Sequence, residues 1–258
     1  MILVLWVYLT RIQCFDGRQD NKRERGVLMM TNYERETKEV SRFQLEQSVP
    51  YFIEKNNRHP FWKRLMDITG SLVLIICCLP LFLLLAILII VVSGRPIFFL
   101  QTRTGMNNTK FSILKFRTME KSVHHEKRHM YQWTEGVPET FRFKTENDSS
   151  VTPVGKFLRK YSLDELPQLV NVLIGNMSLV GPRPEIPSIT NMYNHQQFKR
   201  LLVKPGITGY AQINGRAEID HGKKIEYDLF YVKNRSFLLD VKIIVGTIIA
   251  IIRAKGAY

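Results

Sequence analysis

The sequence predicts an α+β chain that is mostly helical: a membrane-embedded re-entrant helix on the N-side of a small helical domain, with a short β-hairpin and amphipathic interfacial helices. Three observations predict it. Positions 72–92 contain no Asp, Glu, Lys or Arg, and such a run is long enough to cross a hydrocarbon core. Two β-leaning runs around a Gly/Asn turn follow it at once. Beyond residue 155 the apolar residues recur at helical spacing.

In chain order, residues 1–50 read as an N-terminal extension. Its first ten residues are apolar but lack a basic flank and a small-residue cleavage site, so they make a poor signal peptide and are too short for a span. Met29 or Met30 is an alternative start. Residues 15–48 are rich in charge and read as a solvated linker. Residues 58–94 form the membrane element. A buried core helix is the competing reading of 72–92, and its length argues for the bilayer. Pro80 sits near the middle, where it removes a backbone hydrogen bond and bends a helix. Arg58, Lys63 and Arg64 precede the run and Arg95 and Arg103 follow it. Basic flanks on both sides place both ends in the cytoplasm, which a helix re-entering at Pro80 satisfies.

Residues 95–258 form the cytoplasmic domain. It opens with strands at 96–101 and 111–116 around the turn 105–108. Helices are expected at 155–160, 163–174, 186–201 and 222–232. At 238–253, Val241, Ile244, Val245, Ile248, Ile249 and Ile252 share one broad face, which suits either core packing or a helix lying in the head-group plane.

Composition narrows the partners. The 258 residues carry 37 Lys and Arg against 23 Asp and Glu, a net charge of +14, which favours anions. Nucleic acid is not favoured, because the strongest segment is apolar rather than a basic stripe interleaved with stacking aromatics. Cys14, Cys77 and Cys78 are odd in number and two are adjacent, which offers neither a disulfide framework nor a CxxC metal pattern. A reducing compartment is the simpler reading.

The residues that point to chemistry lie in two stretches. Ser162-Leu163-Asp164-Glu165-Leu166-Pro167-Gln168 sets two carboxylates side by side at an expected helix start. Ser162 and Glu165 also fit a capping box, which leaves Asp164 unexplained. A helix N-terminus seats phosphate and favours an ionised Asp164, as a nucleophile requires. In Gly181-Pro182-Arg183-Pro184 two prolines fix the backbone around one cation, and guanidinium matches phosphate oxygens bidentately. A plain structural turn is the alternative. Lys115, Arg117, Gln212 and Arg216 sit in polar patches that could join an anion pocket. His125-Glu126-Lys127-Arg128-His129 matches HExxH, so a membrane-tethered zinc protease through His125, Glu126 and His129 is a rival reading, as is a non-catalytic anchor for anionic lipid. The basic polar flanks and the lack of a third ligand at a recognised spacing argue for a solvated loop instead.

KFRTM (115–119), the block from Arg159 to Gln168, SLVGPRPE (178–185), KPGITGYAQINGR (204–216) and YDLFYV (227–232) occur in that order. The series resembles the bacterial sugar transferases, the monotopic phosphoglycosyl transferases that prime polysaccharide synthesis, from about residue 58 to the end. The resemblance implies that a sugar 1-phosphate passes from a UDP-sugar to undecaprenyl phosphate at the cytoplasmic face of a bacterial membrane, with release of UMP, as the first membrane step of exopolysaccharide or capsule synthesis. It implies Asp164 as covalent nucleophile and Glu165 as a ligand of Mg²⁺. It further implies that Arg159 and Arg183 bind phosphate. Membrane lipids, and later glycosyltransferases of the same pathway, are the further partners. The family's helix break is usually Ser-Pro, whereas Leu79 precedes Pro80 here. A carboxylate can form an acyl phosphate on general grounds, and a two-step route suits one soluble and one lipid substrate.

Overall fold

The computed structural model describes residues 60–120, 137–142, 150–215 and 218–253, all within one compact unit, Ile53–Tyr258. The extension 1–50, the HExxH residues His125, Glu126 and His129, and Arg216 lie outside them. The described chain is mostly helical, with small sheets and one long apolar helix near its N-side.

Helix α1, Phe61–Ser93, spans 33 residues and runs through Pro80. Its burial is inverted relative to a water-soluble helix. Lys63, Asp67 and Ser71, four residues apart on one face, are buried, whereas Leu72, Leu74, Ile76, Leu79, Leu83, Leu84 and Ile87 are exposed. Only 11% of its most apolar window is buried inside the protein, so a hydrocarbon environment, not a protein core, accounts for those side chains. The buried face docks at both ends. Lys63 Nζ donates to Asp240 Oδ2 at 2.6 Å, and Asp67 Oδ1 accepts from Ser178 Oγ and Leu179 N, each at 2.9 Å. Near the far end Leu85 and Ile89 pack with Phe116 and Leu158.

After α1 the chain forms β1 (Phe98–Thr104) and β2 (Lys110–Phe116), paired antiparallel from Phe98↔Phe116 to Thr104↔Lys110. Asn107 and Asn108 take left-handed backbone in the turn, a conformation asparagine tolerates better than most residues. Helix α2, Pro153–Lys160, starts where Thr152 Oγ1 accepts from Gly155 N at 2.9 Å and Pro153 supplies a first helical residue that needs no donor. A side chain at Gly155 would place its Cβ 2.0 Å from the Thr118 carbonyl oxygen. The glycine therefore lets α2 lie directly on the end of the hairpin.

Two sequence expectations fail here for local reasons. The helix expected at 163–174 is two pieces, a 3-10 turn at Leu163–Glu165 and α3 at Gln168–Ile174. Pro167 between them has no N–H to continue the ladder. Ser162 is not an N-cap: its φ of 55° is left-handed and its side chain caps nothing, so no capping box joins it to Glu165. The single helix expected at 186–201 is also broken, into α4 (Pro187–Thr190), α5 (His195–Phe198) and a 3-10 turn (Lys199–Leu202). Asn194 restarts it, because its side chain accepts from Gln197 N at 2.9 Å and forms the capping box there.

Strands β3 (Ser178–Val180) and β4 (Gly206–Thr208) pair in parallel, and α6 (Tyr210–Ile213) follows. Helix α7, His221–Asn234, covers the expected 222–232 and is capped by Asp220. Helix α8, Phe237–Ile252, turns Asp240 and Ile243 inward and leaves Leu238, Val241, Val245, Ile248, Ile249 and Ile252 exposed. The main core joins Leu169, Val172, Met177, Leu179, Val180, Tyr231 and Ile243. Arg64, from α1, donates to the Val172 and Leu173 carbonyls at 2.7 Å each. A cation thus closes the C-terminal end of α3.

Candidate active site

The left-handed Ser162 turns the chain out of α2 into the 3-10 turn that carries Asp164 and Glu165. A non-glycine residue in that conformation is uncommon and is found where surrounding structure enforces it. The two carboxylates then meet different surroundings. Glu165 is clamped: Oε1 accepts from Lys115 Nζ at 2.9 Å and from Arg183 Nη2 at 2.5 Å, and Oε2 from Arg183 Nη1 at 3.3 Å. Asp164 is buried to the same degree, yet among the described residues its side chain accepts no hydrogen bond. Its nearest cation is Lys115, at 4.0 Å from Oδ2.

Their acidities diverge accordingly. Burial, and next the neighbouring Glu165 charge, push Asp164 up to about 6 against the pull of Lys115, Arg183 and Arg159. Burial acts on Glu165 as well, but Arg183 and Lys115 outweigh it and hold that carboxyl well below the usual carboxylate range. Asp164 is therefore not kept ionised by a helix field, as expected from sequence. It is a raised carboxylic acid that loses its proton just below neutral pH, beside a permanently charged partner. Glu165 in turn raises the Arg183 guanidinium further above its ordinary value.

Of the residues singled out by sequence, the structure brings Asp164, Glu165, Lys115 and Arg183 into one cluster. Arg159 stands at the last turn of α2, where its Nε donates to Thr118 Oγ1 at 3.0 Å and its charge still reaches Asp164. Arg117 has another task. Its guanidinium donates to the carbonyls of Ser93, Gly94 and Arg95, closing the end of α1 as a cation at a helix C-terminus. Gln212 donates from Nε2 to the Ile207 carbonyl at 2.9 Å, across the start of α6. Both hydrogen-bond to backbone in this structure.

Sequence reading missed the support beneath Arg183. Arg200, 2% exposed, donates to Asp228 Oδ2 at 2.5 Å, to the Arg183 carbonyl at 2.9 Å, to Glu185 and to Tyr193. Lys224 also binds Glu185, which those two cations hold down to about 2 against the opposing effect of burial. The one available signal was a charge within an apolar context: Arg200 directly before Leu201-Leu202-Val203, and Asp228 within YDLFYV.

Mg²⁺ can be tested against the donor set. It binds through one or two carboxylates and completes its shell with substrate phosphates and water. Among the described residues no group of three His, Cys, Asp or Glu could hold a metal, but Asp164 and Glu165 supply two hard oxygen donors. Glu165 Oε2 accepts one hydrogen bond, so it retains a lone pair. Glu165 is the residue that would hold Mg²⁺.

A long exposed apolar helix and a separate buried acid pair among cations mark a membrane-associated protein. Residues 58–254 match the model of the bacterial sugar transferase family, and the chain belongs to that family. It is 41% identical over 195 residues to the uncharacterized sugar transferase EpsL of Bacillus subtilis, covering 75% of this chain and 89% of that protein. It is 37% identical over 198 residues to the exopolysaccharide production protein ExoY of Sinorhizobium fredii, with 76% and 88% covered. Its identity with the UDP-glucose:undecaprenyl-phosphate glucose-1-phosphate transferase of Klebsiella pneumoniae is 42% over 211 residues, covering 79% of this chain and 43% of that longer protein.

Proposed function

We propose that this chain transfers a sugar 1-phosphate from a UDP-sugar to undecaprenyl phosphate and releases UMP, the first membrane step in building an exopolysaccharide or capsule. Support comes from the family match and from relatives named for this reaction in Klebsiella pneumoniae and Xanthomonas campestris. The observation that carries the assignment of roles is the asymmetry of the acid pair. Glu165 is held on both oxygens, whereas among the described residues the Asp164 carboxylate has no hydrogen bond to lose before it attacks.

In this reading an Asp164 oxygen attacks the phosphorus that bears the sugar. The bond from that phosphorus to the UMP oxygen breaks, UMP leaves with the electron pair, and an acyl phosphate carrying the sugar remains. A phosphate oxygen of the lipid then attacks the same phosphorus and frees the Asp164 carboxylate. Lys115, Arg159 and Arg183 stabilise the charge that gathers on the diphosphate and on UMP. Mg²⁺, held by Glu165 with the diphosphate, would supply further charge neutralisation.

The membrane helix enters and leaves by the cytoplasmic face. The polar ties of Lys63 and Asp67 and the packing of Leu85 and Ile89 support this placement, because both ends of α1 dock on the same domain. The exposed face of α8 rests at the membrane interface. The test is UMP release by purified protein from a panel of UDP-sugars, with undecaprenyl phosphate in detergent or vesicles. A lipid-dependent release with at least one sugar is expected; none with any sugar would overturn the reading.

A further inference from the structure

The backbone of the turn bearing Arg183 is held at each residue. Gly181 N donates to Thr208 O, Gly206 N to Pro182 O, and Thr104 N to Glu185 O, each at 2.9 Å. Arg103 donates to Pro184 O at 3.2 Å. The carbonyl of Arg183 itself is held by a side chain, Nη2 of Arg200 at 2.9 Å. Arg200 reaches it from the 3-10 turn Lys199–Leu202, and the same nitrogen binds Asp228 of α7 at 2.5 Å.

A buried ion pair is weak support for stability, and well-packed apolar residues in its place are often neutral or stabilising. Folding alone therefore does not explain a nearly inaccessible arginine. Its planar fork does something an apolar residue cannot: it joins Asp228, Glu185 and Tyr193 to the peptide that carries Arg183. Lysine, with one ammonium, cannot span these partners at once.

We propose that Arg200, locked by Asp228 and Glu185, is a positioning residue that fixes the Arg183 turn and so aims the Arg183 guanidinium at Glu165 and the substrate phosphate. The proposal rests on the acid pair being the reaction centre. It adds that the rate depends on residues which touch neither substrate nor acid.

The test is a double-mutant cycle on full-length protein. Arg200→Ala leaves Asp228 without its buried partner and can fail to fold. The main variant is therefore the double replacement Arg200→Met with Asp228→Leu, which removes both charges and keeps volume. Its melting temperature should stay near that of the native protein. Its kcat for UMP release should fall ~10- to 100-fold with little change in KM, the scale expected when a catalytic cation is misplaced by about 1 Å. Arg200→Lys, in otherwise native protein, should not keep the native rate, because one ammonium cannot span the same partners. In an Arg183→Ala background the same double replacement should change the residual rate by less than about twofold, since its effect acts through Arg183. If the two losses multiply, or if the lost rate merely follows the unfolded fraction, Arg200 is not a positioning residue. If Arg183→Ala alone turns over normally, the assignment of the reaction centre falls with it, and the single variant distinguishes that failure from the first.

Discussion

Replacing Lys115 by Met tests the electrostatics of the acid pair most sharply. Lys115 Nζ lies 4.0 Å from Asp164 Oδ2 and 2.9 Å from Glu165 Oε1, and only 16% of its side chain is exposed. Two unit charges at 4 Å attract by about 4 kcal/mol at an effective dielectric of ~20 and by about 1 kcal/mol in bulk water. At about 1.4 kcal/mol per pKa unit, loss of the cation raises the Asp164 carboxyl by roughly one to three units. That carboxyl starts at about 6, so it becomes protonated through the neutral range. The ionised fraction at pH 7 falls from about 90% to about 50% or less. The assay is the pre-steady-state rate of UMP release between pH 5 and 9. The acid limb should move up by at least one unit, and part of the lost rate should return at pH 9. The apparent constant belongs to the pair, because Glu165 shares the same lysine. A plateau that drops at every pH with an unmoved limb would refute this reasoning and leave Lys115 as a substrate ligand alone.

Further predictions follow from the same geometry. Asp164→Asn should stabilise the protein at pH 7 by up to about 3 kcal/mol, because an Asp164 carboxyl raised to about 6 favours folding only while it stays protonated. That contribution is complete below the unfolded value of 3.8 and lost as pH rises through 6, so thermal melts of the two proteins should converge near pH 4. Arg117→Met strips donors from the carbonyls at the end of α1 and should lower stability by about 1–3 kcal/mol. Its UMP release per folded molecule should persist; lost activity at native stability would return Arg117 to the anion pocket. In protein lacking Cys14, Cys77 and Cys78, Phe61→Cys and Arg95→Cys should both be labelled by a membrane-impermeant maleimide from the cytoplasmic side only. Labelling from opposite sides would show that α1 crosses the bilayer.

The elements legible in the sequence were those set by local pattern. The charge-free run at 72–92, the turn at 105–108 and the periodicity of 222–232 and 238–253 correspond to α1, the hairpin turn, α7 and α8. The acid pair and Arg183 were legible because unusual residue types sit in rigid surroundings. What was not legible depends on long-range partners. Ser162 looked like a helix cap, but the left-handed turn it makes leads out of α2 into a 3-10 turn that Pro167 then ends. Arg117 looked like a phosphate ligand, and only the fold reveals the end of α1 beside it. Arg200 carries no motif of its own, and its partners at Asp228 and Arg183 come from separate elements. Spacing cannot report an ion pair closed across 28 residues.

If Asp164 is the nucleophile, it becomes covalently linked to the sugar phosphate during turnover. Purified protein should be mixed with its UDP-sugar in the absence of lipid acceptor, quenched in acid and analysed by mass spectrometry after proteolysis. A burst of at most one equivalent of UMP is expected, with a sugar-phosphate adduct on the peptide holding Asp164. Neither should occur in Asp164→Asn, while Glu165→Gln should leave the adduct position unchanged however slowly it forms. Substantial lipid-dependent turnover by Asp164→Asn without any adduct would contradict the covalent route, and would mean that the lipid phosphate attacks the UDP-sugar directly.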